Sequence, residues 1–277
     1  MKVLLHTSVS LIVVALVTTG CRDTAAREGT PEIAVTNSYL ECVVKDLCGP
    51  DMRVLCLAPP GMCPGHFDIS PAQVRQLRNC RVLLLFDFQQ QVEQKLARLR
   101  ENGLKTQLVR APSGLCVPDT YVATCKEVCR ALTSEHPEKA AQFVERLSVT
   151  ERRLERLAAD LQGSVVDSGI VSARVLTSDH QAEFAQWLGL KPVATFVGSD
   201  LETVANIDHC LQKAAGQDIR LVIANRQEGT ALAEALAERL GARVAVFSNF
   251  PQACEGVGGF DRLLRDNVRL LLEAVAR

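Results

Sequence analysis

Eleven cysteines and five histidines are the residues of this 277-residue chain whose chemistry could set its function. Thiolate and imidazole ligate borderline and soft metal ions, and cysteines cross-link in oxidising compartments. Spacing narrows the choice. No Cys-x-x-Cys pair occurs, which argues against a thioredoxin-like redox centre. Cys125 and Cys129 lie four apart on an expected helix, an awkward spacing for bridging each other, so they are expected to pair elsewhere or stay as buried thiols. Nucleophile elbows, His-Glu-x-x-His helices, phosphate-binding Gly-x-x-x-x-Gly-Lys loops and dinucleotide fingerprints are all missing from the sequence, and its carboxylates form no evident acid–base pair. The Gly256–Gly259 cluster precedes a helix and reads as a flexible loop. The expectation is a binding protein, not an enzyme.

The meaning of the cysteines depends on compartment, and the N-terminus supplies one. Lys2 and an apolar run from Leu11 to Val17 precede Thr18-Thr19-Gly20-Cys21. The run is far shorter than the roughly 20 residues that span a bilayer. Small residues before a cysteine mark a bacterial lipoprotein signal, with lipidation expected at Cys21. Residues 1–20 are then the signal and 21–32 a polar tether, and the rest folds outside the cytoplasm, lipid-anchored in the cell envelope. Ten cysteines remain after Cys21, and several disulfides are expected among them.

Hydrophobic residues make up 47% of the chain, enough for a real core, and charged residues 23%. A net charge of −1 leaves no basic field for a phosphate backbone, and 4% aromatics give few platforms for base stacking, so nucleic acid is excluded as a partner.

Strand-like runs at Ile33–Thr36, Val54–Ala58, Arg81–Phe86 and Gln107–Val109 alternate with helical patterns at Pro71–Arg78, Gln90–Glu101 and Asp119–Leu132. The alternation resumes with strands at Ala173–Leu176, Val193–Phe196, Arg220–Ala224 and Arg243–Phe247, and helices at His180–Leu188, Asp200–Ala214, Thr230–Leu240 and Phe260–Ala274. Such alternation predicts α/β architecture, two lobes each with a mostly parallel sheet flanked by helices. Between them Pro137–Leu161 carries Ala140, Phe143, Val144, Leu147, Leu154, Leu157, Ala158 and Leu161 on one helical face and ends before Gly163. That predicts one rigid rod of about 37 Å joining the lobes. The expected divisions are 33–135 for the N-terminal lobe, 136–163 for the connecting helix and 164–277 for the C-terminal lobe.

Four stretches then resemble, in order, the substrate-binding lipoproteins of zinc/manganese-type ABC importers. Ala58-Pro59-Pro60-Gly61-Met62-Cys63-Pro64-Gly65-His66-Phe67-Asp68-Ile69-Ser70-Pro71 resembles that family's first ligand loop. His136-Pro137-Glu138-Lys139-Ala140-Ala141 resembles the opening of its long helix. Phe184-Ala185-Gln186-Trp187-Leu188-Gly189-Leu190 resembles the end of the helix bearing the third ligand, and Phe260 with Asn267 resembles its closing segment. The resemblance implies two α/β lobes, an ion held between them by three histidines and an acid, and delivery to a permease and its ATPase by a monomer.

The implied ligand positions fall here on Gly65, Ser113, Ser178 and Gly258, and a further acid of the family falls on Asn225. Glycine and neutral serine cannot replace imidazole or carboxylate on Zn²⁺ or Mn²⁺. Two readings stay open. In one, His66 and His180 are ligands displaced slightly along the chain, joined by a thiolate such as Cys63 or Cys116, although both cysteines are more readily half-cystines. In the other the ion site is emptied, and Gly65, Ser113, Ser178, Asn225 and Gly258 line a space for a metal chelate or small organic solute. His6 lies in the signal; His136 and His209 read as a helix-cap and an exposed helical residue. The overall expectation is an extracytoplasmic binding lipoprotein that captures a zinc- or manganese-class ion as transported ligand, without a resident cofactor. The alternative is the same fold carrying another solute, or an envelope accessory lipoprotein.

Overall fold

The structure, a computed structural model, describes residues 31–62, 68–198, 203–252, 254 and 256–276. Cys21, Cys63, Gly65 and His66 lie outside these described residues. Two four-stranded parallel sheets form the frame. In the first, β2 (Val54–Cys56), β1 (Ile33–Val35), β3 (Val82–Phe86) and β4 (Lys105–Val109) lie side by side in that order. In the second the order is β6 (Lys191–Phe196), β5 (Arg174–Ser178), β7 (Ile219–Asn225) and β8 (Arg243–Phe247). The same crossover order in both halves is what right-handed βαβ connections produce. Parallel pairing also puts every strand's C-terminal end on one edge of its sheet, where such folds place their ligands.

The helices of the first half are α1 (Ser38–Cys48), α2 (Pro71–Leu77), α3 (Gln90–Lys95), α4 (Ala97–Glu101) and α5 (Pro118–Glu135). The connecting rod is α6 (Ala140–Asp167), entered through a 3-10 turn at Pro137–Lys139. In the second half, α7 (Ala182–Trp187), α8 (Val204–Ala214), α9 (Ala231–Leu240) and α10 (Gly259–Ala276) complete the layers.

Several expectations need correction. The sequence reading missed α1, although Asn37 caps it by accepting from the Leu40 N–H at 3.0 Å and Gly49 ends it at φ +103°. Most of α1 is buried, and only a narrow stripe of Glu41, Lys45 and Cys48 is partly exposed. The expected helix over 90–101 breaks at Leu96 into α3 and α4. The rod runs past Gly163 to Asp167 because Val165, fully buried, anchors its last turn. Val144 is exposed, whereas Thr150 is buried on the packed face. Among the described residues there is one disulfide, Cys42–Cys254, while Cys48, Cys56, Cys80, Cys116, Cys125 and Cys129 are free thiols and the buried Cys210 Sγ lies 3.2 Å from the Thr195 carbonyl. Burial explains their inertness: it pushes Cys48 and Cys56 up to about 12 and raises Cys125 as well.

The two halves share a core along α6. Tyr39 of α1, Tyr121 of α5 and Phe260 of α10 meet there, with Tyr121 and Phe260 stacked at 3.8 Å between centroids and Tyr39 edge-on to both. Beside this cluster lies a buried charge. Asp46 of α1 accepts from the Tyr121 hydroxyl at 2.9 Å, from both Arg153 Nη atoms at 3.2 and 2.7 Å, and from the Gly258 N–H at 3.2 Å. Arg153, on the rod, also lies 3.1 Å from Asp261 of α10 through its Nε. One guanidinium therefore holds a carboxylate from each half.

Replacing Arg153 by Met strands the buried Asp46 carboxylate and the partly buried Asp261 carboxylate, and loss of a buried partner costs about 3–5 kcal/mol. Urea unfolding of the variant should show a drop of that order; a change under about 1 kcal/mol contradicts the role given to Arg153.

Candidate functional site

The strand ends of the second sheet supply the polar groups. Ser178 closes β5, and a 3-10 turn, Asp179–Gln181, brings His180 and Gln181 directly after it. Asn225 closes β7, and the turn Arg226–Glu228 follows in the same way. The two turns meet. Ser178 Oγ donates to Glu228 Oε2 at 2.5 Å, and His180 Nδ1 lies 2.8 Å from Glu228 Oε1. Asn225 also helps to hold the Glu228 carboxyl down. His180 is 57% exposed at the rim, and Glu228 is 16% exposed beneath it.

These contacts set the charges. The hydrogen bond to Glu228 raises the His180 pKa, against partial desolvation. Burial alone would push the Glu228 carboxyl up, but hydrogen bonds from His180, Ser178 and Asn225 outweigh it and hold it below its usual range. The arrangement is an imidazole whose Nδ1–H is given to a carboxylate, leaving Nε2 for a ligand. Metal-binding histidines are oriented in this way.

Further inward the network turns neutral. Gln181, fully buried, donates through Nε2 to Asn225 Oδ1 at 3.2 Å and to Asn249 Oδ1 at 2.9 Å. Its Oε1 is buried without a hydrogen-bond partner. Cys116 Sγ, from the loop before α5, lies 3.1 Å from the Ser248 carbonyl and 3.5 Å from Asn249 Oδ1, and accepts from Asn267 Nδ2 at 3.5 Å. Burial keeps the Cys116 thiol protonated far above its usual range. Cys116 is thus a free thiol, neither a half-cystine nor an ionised ligand.

The halves also touch across this edge. Gln227 Nε2 donates to the Gly61 carbonyl at 2.8 Å and to Ser248 Oγ at 2.9 Å. Gly61 holds φ +74°, and a Cβ there would lie 2.2 Å from Gln252 Nε2, so a larger residue would meet the Gln252 amide. Gly114, at φ +67°, approaches Glu183 of α7 equally closely: a Cβ would sit 2.5 Å from Glu183 Oε2. The Cys42–Cys254 disulfide and a hydrogen bond from Lys45 Nζ to the Cys254 carbonyl fasten α1 to the loop after β8.

Of the sequence-derived residues, Ser178, His180 and Asn225 are brought together around Glu228. Exposed Ser113 sits beside Gly114 on the opposite lobe. Gly258 is placed elsewhere: its N–H binds Asp46 at the mouth of α10, on the rod side. His66, Cys63 and Gly65 lie outside the described residues. Among the described residues, no group of three His, Cys, Asp or Glu side chains converges as a metal cage. His209 is exposed on α8, and His136 is buried at the end of α5, 3.5 Å from Glu138. Glu228, Gln181 and Asn249 were not anticipated. A faint signal existed in the acidic or amide residues that follow the ends of β5, β7 and β8.

Residues 33–274 match the family model described as zinc-uptake complex component A, periplasmic. No curated protein sequence matches. Among solved structures, one of ZnuA superposes with a TM-score of 0.69 at 16% identity, covering 89% of this chain and 100% of that one. The substrate-binding protein FpvC of Pseudomonas aeruginosa, in complex with Ni²⁺, gives 0.70 at 15% identity, covering 88% and 96%. A Mn-bound periplasmic metal-binding protein of Candidatus Liberibacter asiaticus gives 0.72 at 13% identity, covering 88% and 98%.

The ionic pair yields a pH prediction. The raised His180 pKa contributes stability present below its unfolded value of about 6.5 and lost as pH rises through the folded pKa. The lowered Glu228 pKa contributes stability present above about 4.3 and lost as pH falls through its folded pKa. The two coincide between roughly pH 4.3 and 6.5. Glu228→Gln should lower the His180 pKa measured by NMR, and its destabilisation should be largest in that window; an unmoved imidazole titration contradicts the pairing. The match over nearly the whole chain, with a two-lobe frame to go with it, means that this chain belongs to the zinc-uptake complex component A family of periplasmic proteins.

Proposed function

We propose that the chain is the solute-binding component of an importer and captures a divalent metal ion, of the zinc or manganese class, at the rim between its lobes. The observation that carries this is the His180–Glu228 pair, at 2.8 Å, on the C-terminal edge of the second sheet. Its Nε2 would ligate the ion and Glu228 would fix the ring. His66 from the first ligand loop is proposed as the ligand from the opposite lobe. Cys116 is not part of the set, because its thiol is fully buried and held well above its usual range by burial. Capture also suits the network better than catalysis, since its inward groups are amides with no proton to exchange. A lipid on Cys21 would hold the protein outside the cytoplasm, and a permease with its ATPase would receive the ion from the monomer.

A second reading is favoured by one observation. Ser178 and Asn225 are neutral polar groups where the family's ion-binding residues are implied, Gln181 and Asn249 lie buried behind them, and Gln181 Oε1 is an unmet acceptor. Such a lining suits an uncharged solute or a metal chelate.

Calorimetric titration with Zn²⁺ and Mn²⁺ separates the two. Metal capture predicts one ion per chain and a loss of at least about tenfold in affinity for His180→Ala, with a smaller loss for Glu228→Gln. Unchanged affinity in His180→Ala removes His180 from the site. An empty protein at micromolar metal contradicts metal capture and leaves the neutral-solute reading standing.

A further inference from the structure

The N-terminal edge of the second sheet, at the opposite end of its strands from His180, carries one cation on each strand. In the sheet order they are Lys191, Arg174, Arg220 and Arg243. Arg174 is the direct register partner of Lys191, and Arg220 follows Ile219, the register partner of Arg174 on the other side. Like charges placed opposite one another on neighbouring strands are destabilising. Only part of this charge is met internally. Arg243 Nη1 caps the end of α10 through the Ala274 and Val275 carbonyls, both at 3.0 Å. Arg220 Nε pairs with Asp218 at 2.8 Å, in an exposed contact of little strength. Among the described residues, Arg174 and Lys191 have no carboxylate in ion-pair contact, and both side chains are exposed.

All four cations line one hollow of about 570 Å³, with Asp218 as its acidic residue and Ser172 on its wall. That volume suits a small molecule. Adjacent strands of a sheet lie about 4.8 Å apart, so cations carried one per strand match groups repeated along a short polyanion better than a single charge. We propose that this hollow binds a small molecule bearing two or more neighbouring anionic groups, phosphate or carboxylate, and that Arg174 and Lys191 are its principal contacts. The bound anion relieves the repulsion between these two strands, so binding and stability are linked. The site is separate from the metal rim and does not depend on it.

Pyrophosphate and tricarballylate serve as the phosphate and carboxylate probes, with acetate at matched ionic strength as control, on chelator-treated protein in 150 mM sodium chloride. The expected result is saturable binding of at least one polyanion and a rise in Tm that acetate does not give. The double variant Arg174→Gln, Lys191→Gln should weaken that binding at least tenfold and abolish the rise. Its anion-free Tm should equal or exceed that of the parent, because a repulsive pair has gone, and its Zn²⁺ titration should be unchanged. A response to both probes no greater than to acetate overturns the proposal, as does undiminished polyanion binding by the double variant. Preference between the two probes identifies the anionic group.

Discussion

One guanidinium meets a carboxylate from each half of this protein at the centre of the contacts that join them. Arg153 stands on the helix that spans both lobes and holds Asp46 from the first and lies against Asp261 from the second. Asp46 is almost wholly buried and takes four donors, so its position is fixed in direction as well as in distance. Burial raises the Asp261 carboxyl, while nearby Arg153 pulls it down. Buried charges of this kind are costly unless geometry and hydrogen bonding are nearly complete. Their value here is registration. The stacked Tyr121–Phe260 pair supplies apolar area beside the charges, and together they fix where α10 starts and hence where the loop after β8 lies.

Everything at the opposite edge inherits that registration. The loop after β8 carries Ser248 and Asn249 and is fastened to α1 by the Cys42–Cys254 bridge. Its residues meet Cys116 from the first lobe through hydrogen bonds between neutral groups. A chain of contacts then runs from this buried junction through Asn249, Gln181 and Asn225 to Glu228 and the exposed His180. Charge along this chain of contacts is confined to the rim, where solvent reaches His180, and the interior junction is held by neutral groups.

Much of the frame was legible in the sequence because β-branched and leucine-rich runs alternate with amphipathic ones at parallel-sheet spacing. All eight strands fall where those runs lie. The rod was legible from Phe143, Leu154, Leu157 and Leu161, whose spacing stays on one face over many turns. Helix α1 was not, since its polar stripe is narrow, Glu41 and Lys45, and Val43 and Val44 carry no helical preference of their own. Gly163 misled because a glycine ends a helix only where the chain must turn, and here the turn waits for Gly169 at φ +73°. The resemblance to a metal-binding family pointed to Ser178 and Asn225, and proximity in sequence to His180. Glu228, Gln181 and Asn249 come from three separate strand ends, and their convergence is a tertiary fact that no local pattern encodes. Among the described residues the Cys42–Cys254 bridge meets the expectation of disulfides, but an even count of cysteines does not reveal which thiols are simply packed as small apolar groups.

The most direct measurement is the anomalous diffraction of crystals equilibrated with Zn²⁺. The account predicts a single strong peak about 2.1 Å from His180 Nε2, between the lobes, with the His180–Glu228 hydrogen bond intact. A well-ordered His180 without a peak, in crystals of protein that binds zinc in solution, would contradict it.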